Sequence, residues 1–502
     1  MDAPLLIDLR RSSLTPDDRE LLSRDGVAGV CLFSRNLTGV EQGRDLVAAI
    51  HQTAGRALLI AIDQEGGGVV RLPQVAAPPG VMALGAVDDP SLTEALGAAT
   101  GRGLRRIGVN VDFAPVADVQ SNRDNPVIGD RSFGADPALV ARHVAAFVRG
   151  LQGSGVAATL KHFPGHGDVA IDSHLALPRL EADRERLEAL EWPPFVAGIE
   201  AGAEAVMTAH VVAASVDPER PATLSPALLE GVLRERLGFG GVVFSDALEM
   251  RAISERHGVP EAAVLASAAG VDVPIVCNAA PAEHHQVLDA LARAQAEGRL
   301  DPGRIRAARE RVVRLLAAYP SVSIEPDRER LAADAALEAD AARRAITAAG
   351  TPPRLAPGGR PVVLLGRAVV ASGAASEASS PVAALAAALE ENGVAVRWVH
   401  ELVAVSDALA GAQALIVATG ERTPLAAETA QDYREAFRRA HEAGVPALHA
   451  ALANPDHVRE MPGPALLSFG VRPSAAAALA RALVTGEAPG RAPVPLANRS
   501  QP

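Results

Sequence analysis

Along the first two thirds of the chain, short uninterrupted apolar runs alternate with longer segments in which apolar residues recur every three or four positions. The runs are LLIDL (5–9), AGVCLF (28–33), LLIAID (58–63), VNVDFAP (109–115), AATLKHF (157–163), AVMTAH (205–210), GVVFSD (241–246) and VDVPIVC (271–277). Each has the length of a strand and ends in polar or glycine-rich sequence, and the segments between them have the length and spacing of helices. Strands covered on both faces read as continuous apolar runs. Eight of them alternating with helices therefore predict an α/β protein whose residues 1–326 form a parallel (β/α)8 barrel.

Beyond the barrel the pattern changes. Residues 327–349 are acidic and arginine-rich with helical spacing, and the Pro/Gly-rich GTPPRLAPGGRP follows, so 327–360 reads as the connection between two domains. The runs VVLLG (362–366), VAVRW (394–398), ALIVA (414–418), VPALH (445–449) and ALLSFG (465–470) then alternate with helical segments and predict a smaller doubly wound α/β domain over 361–502. Its first strand leads into GRAVVASG, which lacks the G-x-G-x-x-G spacing of a dinucleotide fold, so no cofactor is inferred.

Composition agrees with two domains and narrows the function. A chain of 502 residues is too long for one ordinary core. With 48% hydrophobic and 22% charged residues it has the make-up of a soluble protein. The net charge of -12 argues against nucleic acid as a partner. No basic segment followed by a long apolar run opens the sequence, and no stretch of about 18 apolar residues marks a membrane span. Cys31 and Cys277 both lie in apolar runs, as buried thiols of a reducing cytoplasm do, and they suggest neither a disulfide nor a metal framework. The expectation is a cytoplasmic protein without membrane or metal; no feature sets its oligomeric state.

One residue stands apart. Of 48 lysines and arginines only Lys161 is a lysine, and it lies in LKHFPGHGDVAIDSH (160–174) with three histidines. A position that keeps an ammonium where every other cation is a guanidinium needs a compact point charge rather than a planar fork. Barrel chemistry is performed at the carboxyl ends of the strands. There the third run ends at Asp63 with Arg71 beyond a glycine turn, the fourth leads to a loop with Arg131, the fifth ends in Lys161 and His162, the sixth in His210 and the seventh in Asp246. Taken singly, the aspartates read as helix caps and His210 as a hydrogen-bonded core histidine. Independent capping would not gather all of them on one face of one barrel.

The motifs DQEGGGVVR, NPVIGDRSFG, KHFPGHGDVAIDSHLALP, MTAH and FSDALEM, in this order across the barrel, resemble the family 3 glycoside hydrolases and specifically their β-N-acetylglucosaminidase branch. The second domain resembles that of the longer family members more weakly. The resemblance implies that Asp246 of FSD is the nucleophile and that His174 of DSH is the acid/base, with Asp172 as its partner. An imidazole, with an unperturbed pKa of about 6.5, suits proton donation and acceptance near neutrality. Asp63 is then expected to accept from sugar hydroxyls; Arg71, Arg131, Lys161 and His162 are expected to donate to them, and His210 completes the substrate-binding set. The chain departs from the family at Gly68, where relatives commonly carry arginine.

The implied reaction is removal of terminal N-acetylglucosamine from cell-wall fragments or chitooligosaccharides with retention of configuration. Phosphorolysis by the same residues is an alternative, because a histidine left neutral after the first step repels phosphate less than a carboxylate would. A sugar-binding protein without catalysis is a second. A metal-dependent barrel hydrolase is disfavoured, because no H-x-H stands at the end of the first strand.

Overall fold

In the computed structural model, residues 3–169, 177–368 and 380–496 are described. All eight expected barrel strands form: β1 (Leu5–Asp8), β2 (Val27–Leu32), β3 (Leu59–Ile62), β4 (Val111–Asp112), β5 (Ala157–Phe163), β6 (Ala205–Thr208), β7 (Val242–Ala247) and β8 (Val273–Ile275). They close in the order β1-β8-β7-β6-β5-β4-β3-β2, with every neighbouring pair parallel. Every residue of β1, β3, β4, β5, β6 and β8 is buried, which is why these strands read as unbroken apolar runs rather than as alternation. The barrel interior is filled by side chains such as Leu6, Leu59, Met207 and Ile275, and Phe113 meets Phe244 edge to face with ring centroids 5.4 Å apart.

Three of the outer helices start at Asp-Pro. Asp89, Asp136 and Asp301 each cap a helix by accepting backbone N–H groups, and proline, which has no N–H to lose, occupies the first turn in each case. No helix among the described residues is long and apolar enough to cross a membrane.

The second domain is a six-stranded sheet with helices, of β9 (Thr347–Ala349), β10 (Val362–Leu365), β11 (Val396–Val399), β12 (Ala414–Thr419), β13 (Ala447–Ala451) and β14 (Ala465–Leu467), in the order β9-β14-β13-β12-β10-β11. Its pairs are parallel except β9 with β14. The stretch 327–360, read as a connection, therefore supplies an edge strand of the sheet. It also supplies the helix Arg328–Ala345, whose acidic residues have partners on both sides. Asp334 accepts from Arg102 of the barrel, and Glu338 takes a two-point contact, at 2.8 and 3.0 Å, from Arg472 of the second domain.

The domains also meet backbone to backbone. A Cβ on Gly80 of the barrel would stand 1.8 Å from the carbonyl oxygen of Phe469, and one on Gly470 would stand 2.0 Å from that of Pro79. Only glycine permits that approach. After the last helix the chain returns to the barrel, where Arg491 donates to the Ala86 carbonyl and Ala135 donates to that of Pro493. The second domain is thereby set beside the loops that leave β3 and β4.

Candidate active site

The carboxyl ends of β2, β3, β5, β7 and β8 surround one pocket. Its floor is apolar, from Cys31, Phe113, Met207, Ile275 and Cys277; its walls carry Asp63, Glu65, Arg71, Arg131, Lys161, His162, His166, Asp246 and Glu249. An apolar base with a few convergent polar groups is the usual form of a small-molecule site.

One wall is a network of charges. Lys161 extends from β5, 1% exposed, and its Nζ lies 2.7 Å from Asp63 Oδ1 and 2.6 Å from Glu65 Oε1. Arg131 grips the same Glu65 with two parallel hydrogen bonds of 2.8 and 2.7 Å. Burial alone would raise the Glu65 carboxyl, but Arg131 and then Lys161 override it and hold it well below the usual carboxylate range. Burial would likewise lower Lys161, yet Asp63 and Glu65 raise it, so the ammonium stays charged. Arg71 approaches Asp63 at 3.6 Å and lies 5.5 Å from the Phe33 ring centroid.

Next to this wall, Asp118 organises the strand that carries Lys161. Its carboxylate accepts from the backbone N–H of His162 and of His166, and His162 Nδ1 stands 2.7 Å from it. Nε2 of His162 lies 3.4 Å from the Arg131 guanidinium, so the ring bridges Asp118 and the charged wall. Asn125 fixes the following turn by donating to the carbonyls of His166 and Gly167. Gly167 passes so close to the Val119 carbonyl that a Cβ would lie 1.7 Å from it. Burial, and then His162, depress His166 to about 4, so its ring on the pocket wall is neutral near pH 7.

Asp246 ends β7 half-buried on the pocket wall, with Oδ1 accepting from the Ala247 N–H at 2.8 Å. Glu249, one turn on, is pushed up to about 8, chiefly by burial. His210 is fully buried and does not line the pocket: its Nδ1 meets the Thr223 hydroxyl at 2.7 Å and its Nε2 meets the Ala247 carbonyl at 2.9 Å. It ties the end of β6 to the residue after Asp246. Asp172 and His174 lie outside the described residues.

Glu65, Asp118 and Asp112 were not among the expected site residues. Glu65 stands inside DQEGGGVVR and could have been found there, two residues from Asp63. Asp118 and Asp112 carry no pattern of their own. Asp112 is wholly buried beneath the network; its Oδ1 accepts from Gln64 N–H, its Oδ2 has no hydrogen-bond partner among the described residues, and burial pushes it up to about 8.

Comparison with known proteins decides what this constellation belongs to. Residues 7–315 match the family model described as the glycosyl hydrolase family 3 N-terminal domain. The chain belongs to glycosyl hydrolase family 3. Among its family 3 relatives is a β-hexosaminidase of Stenotrophomonas maltophilia, 43% identical over 281 residues, or 55% of this chain and 83% of that protein. A family 3 β-N-acetylglucosaminidase from Paenibacillus sp. FPU-7 superposes with a TM-score of 0.91 at 34% identity, covering 98% of this chain and 97% of its own. A β-glucoside phosphorylase superposes at 0.80, covering 98% of this chain and 93% of its own, but at 22% identity shares the fold alone. The family 3 chain is a glycoside hydrolase of β-hexosaminidase type.

Proposed function

We propose that this glycoside hydrolase is a retaining exo-β-N-acetylglucosaminidase that works through a covalent glycosyl-Asp246 intermediate. The observation that carries the reading is the position of Asp246: its carboxylate borders a pocket whose other wall is the hydroxyl-binding network of Asp63, Lys161, Glu65 and Arg131. A pocket with that wall suits one terminal sugar. The Asp246 oxygen attacks the anomeric carbon as the bond to the leaving oxygen breaks, and the proton for that oxygen comes from His174, held by Asp172. Water then attacks the same carbon, returns a proton to His174 and frees Asp246. Asp63 accepts from sugar hydroxyls, while Arg71, Arg131, Lys161 and His162 donate.

Substrates of this chemistry are N-acetylglucosamine-terminated fragments of cell wall or chitin, met in the cytoplasm, where the first would make the enzyme part of peptidoglycan recycling. The test is a 5-fluoro glycosyl inactivator of N-acetylglucosamine configuration followed by peptide mapping, which should label Asp246. Asp246→Asn should leave a folded protein that binds the sugar and turns over at least about a thousandfold more slowly. Label on Asp63 would overturn the assignment.

A further inference from the structure

Residue 68 closes the glycine turn that follows Asp63 and Glu65, and its φ lies outside the left-handed region, so its backbone does not call for glycine. What a side chain there would press on is Arg422. A Cβ there would stand 3.0 Å from Cδ and 3.3 Å from Nε and Nη1 of Arg422. That arginine comes from the other domain, in the segment after β12. Its Nε donates to Asp130 at 2.7 Å, with the two side chains only 16% and 3% exposed. Its own domain holds it from behind, since Asn454 donates to the Arg422 carbonyl and His457 Nε2 meets that of Thr423. Asp130 lies in the turn Gly129–Arg131, beside the arginine that grips Glu65.

We propose that Arg422 is a positioning residue of the active site, supplied by the second domain in the volume that a side chain at residue 68 would take. It braces the Gly129–Arg131 turn through Asp130 and packs on the Gly66–Gly68 turn, and so fixes the two loops whose charges meet at Glu65. Without it Asp130 would be a buried carboxylate lacking its cation, and the turn would have to move outward to hydrate it. Arg131 would move too, and a displacement of about 1 Å in a sugar-binding group is enough to weaken the productive pose. The proposal rests on the reading of this pocket as the glycosidase site.

Because residues 68 and 422 compete for one space, their substitutions should correct each other. An arginine introduced at 68 can reach Asp130 from the barrel side only when Arg422 has been shortened. With an aryl β-N-acetylglucosaminide and the full chain, R422A should raise KM at least about fivefold with a smaller change in kcat, and R422K should recover part of the loss. G68R alone should also be impaired by at least about fivefold, from forcing one arginine against another, whereas G68R/R422A should return to within about threefold of the parent. D130N, which nearly preserves shape and removes the charge that would have to be hydrated, should make R422A silent. A parental KM in R422A, or a double variant as poor as the product of the single ones, would overturn the proposal. N-acetylglucosamine binding by calorimetry should follow the same order whether or not the chain turns over, which separates failure of this inference from failure of the glycosidase reading.

Discussion

An ammonium group 2.7 Å from one carboxylate and 2.6 Å from another, in a residue 1% exposed, leaves no room for a wider cation. A guanidinium at position 161 would have to thrust its plane between Asp63 and Glu65, and Glu65 already holds the fork of Arg131. Lys161→Arg is therefore expected to lower kcat/KM at least about tenfold, or roughly 1.4 kcal/mol of transition-state binding. Overpacking of a buried site costs about 1–3 kcal/mol, so the melting temperature should fall as well. Kinetics on a chromogenic substrate and a thermal melt check both; unchanged values in both would remove Lys161 from the site. The oddity of a single lysine pointed to this position, and its second partner, Glu65, lies in the same motif as Asp63, but the Asp118 behind His162 is legible only in space. Strand register brings Asp118 to His162 across a sequence gap that carries no spacing signal.

Beneath the loop that carries the KHFPGHGD motif runs the short helical turn Leu187–Glu191. Its last residue, Glu191, is fully buried, both carboxyl oxygens lack hydrogen-bond partners among the described residues, and a Cβ on Gly165 would lie 2.5 Å from one of them. Burial, with Asp118 and Asp168 adding to it, raises its pKa from the ordinary 4.5 to about 8; Arg186 opposes weakly. The folded state thus keeps a proton that the unfolded chain gives up above about 4.5. The stability linked to this proton is whole below pH 4.5, is lost as the pH climbs from there through about 8, and then levels off. Glu191→Gln should flatten the decline of melting temperature between pH 5 and 8 by one proton's worth, measured against the parent in matched buffers. An identical pH slope in both proteins would show that Glu191 ionises as an ordinary carboxylate. No sequence pattern marks this residue, because LEALE reads as an unremarkable helical segment. The eight barrel strands were legible since burial on both faces leaves them continuously apolar. The edge strand Thr347–Ala349 was not, since three residues at the end of a charged helix give no periodicity to read.

How the two domains are joined bears on the site as a whole. The Phe469–Gly470 backbone rests on Pro79–Gly80, Arg472 grips Glu338 of the intervening helix, and Arg422 reaches Asp130. Gly470→Ala would place a methyl group 2.0 Å from the Pro79 carbonyl oxygen and force the domains apart. Overpacking of this kind should cost about 1–3 kcal/mol. A lower melting temperature and a raised KM are expected together, read by calorimetry and steady-state kinetics. A parental melting temperature would mean that the contact yields freely. The placing of the one lysine has a consequence for the surface as well. Since folding seals that amine behind two carboxylates, the folded molecule presents no lysine amine to solvent, and its exterior positive charge is carried by guanidinium and imidazole groups. Acylating reagents that seek lysine find their only lysine target inside the sugar pocket, so modification mapped to residue 161 reports on the opening of that pocket.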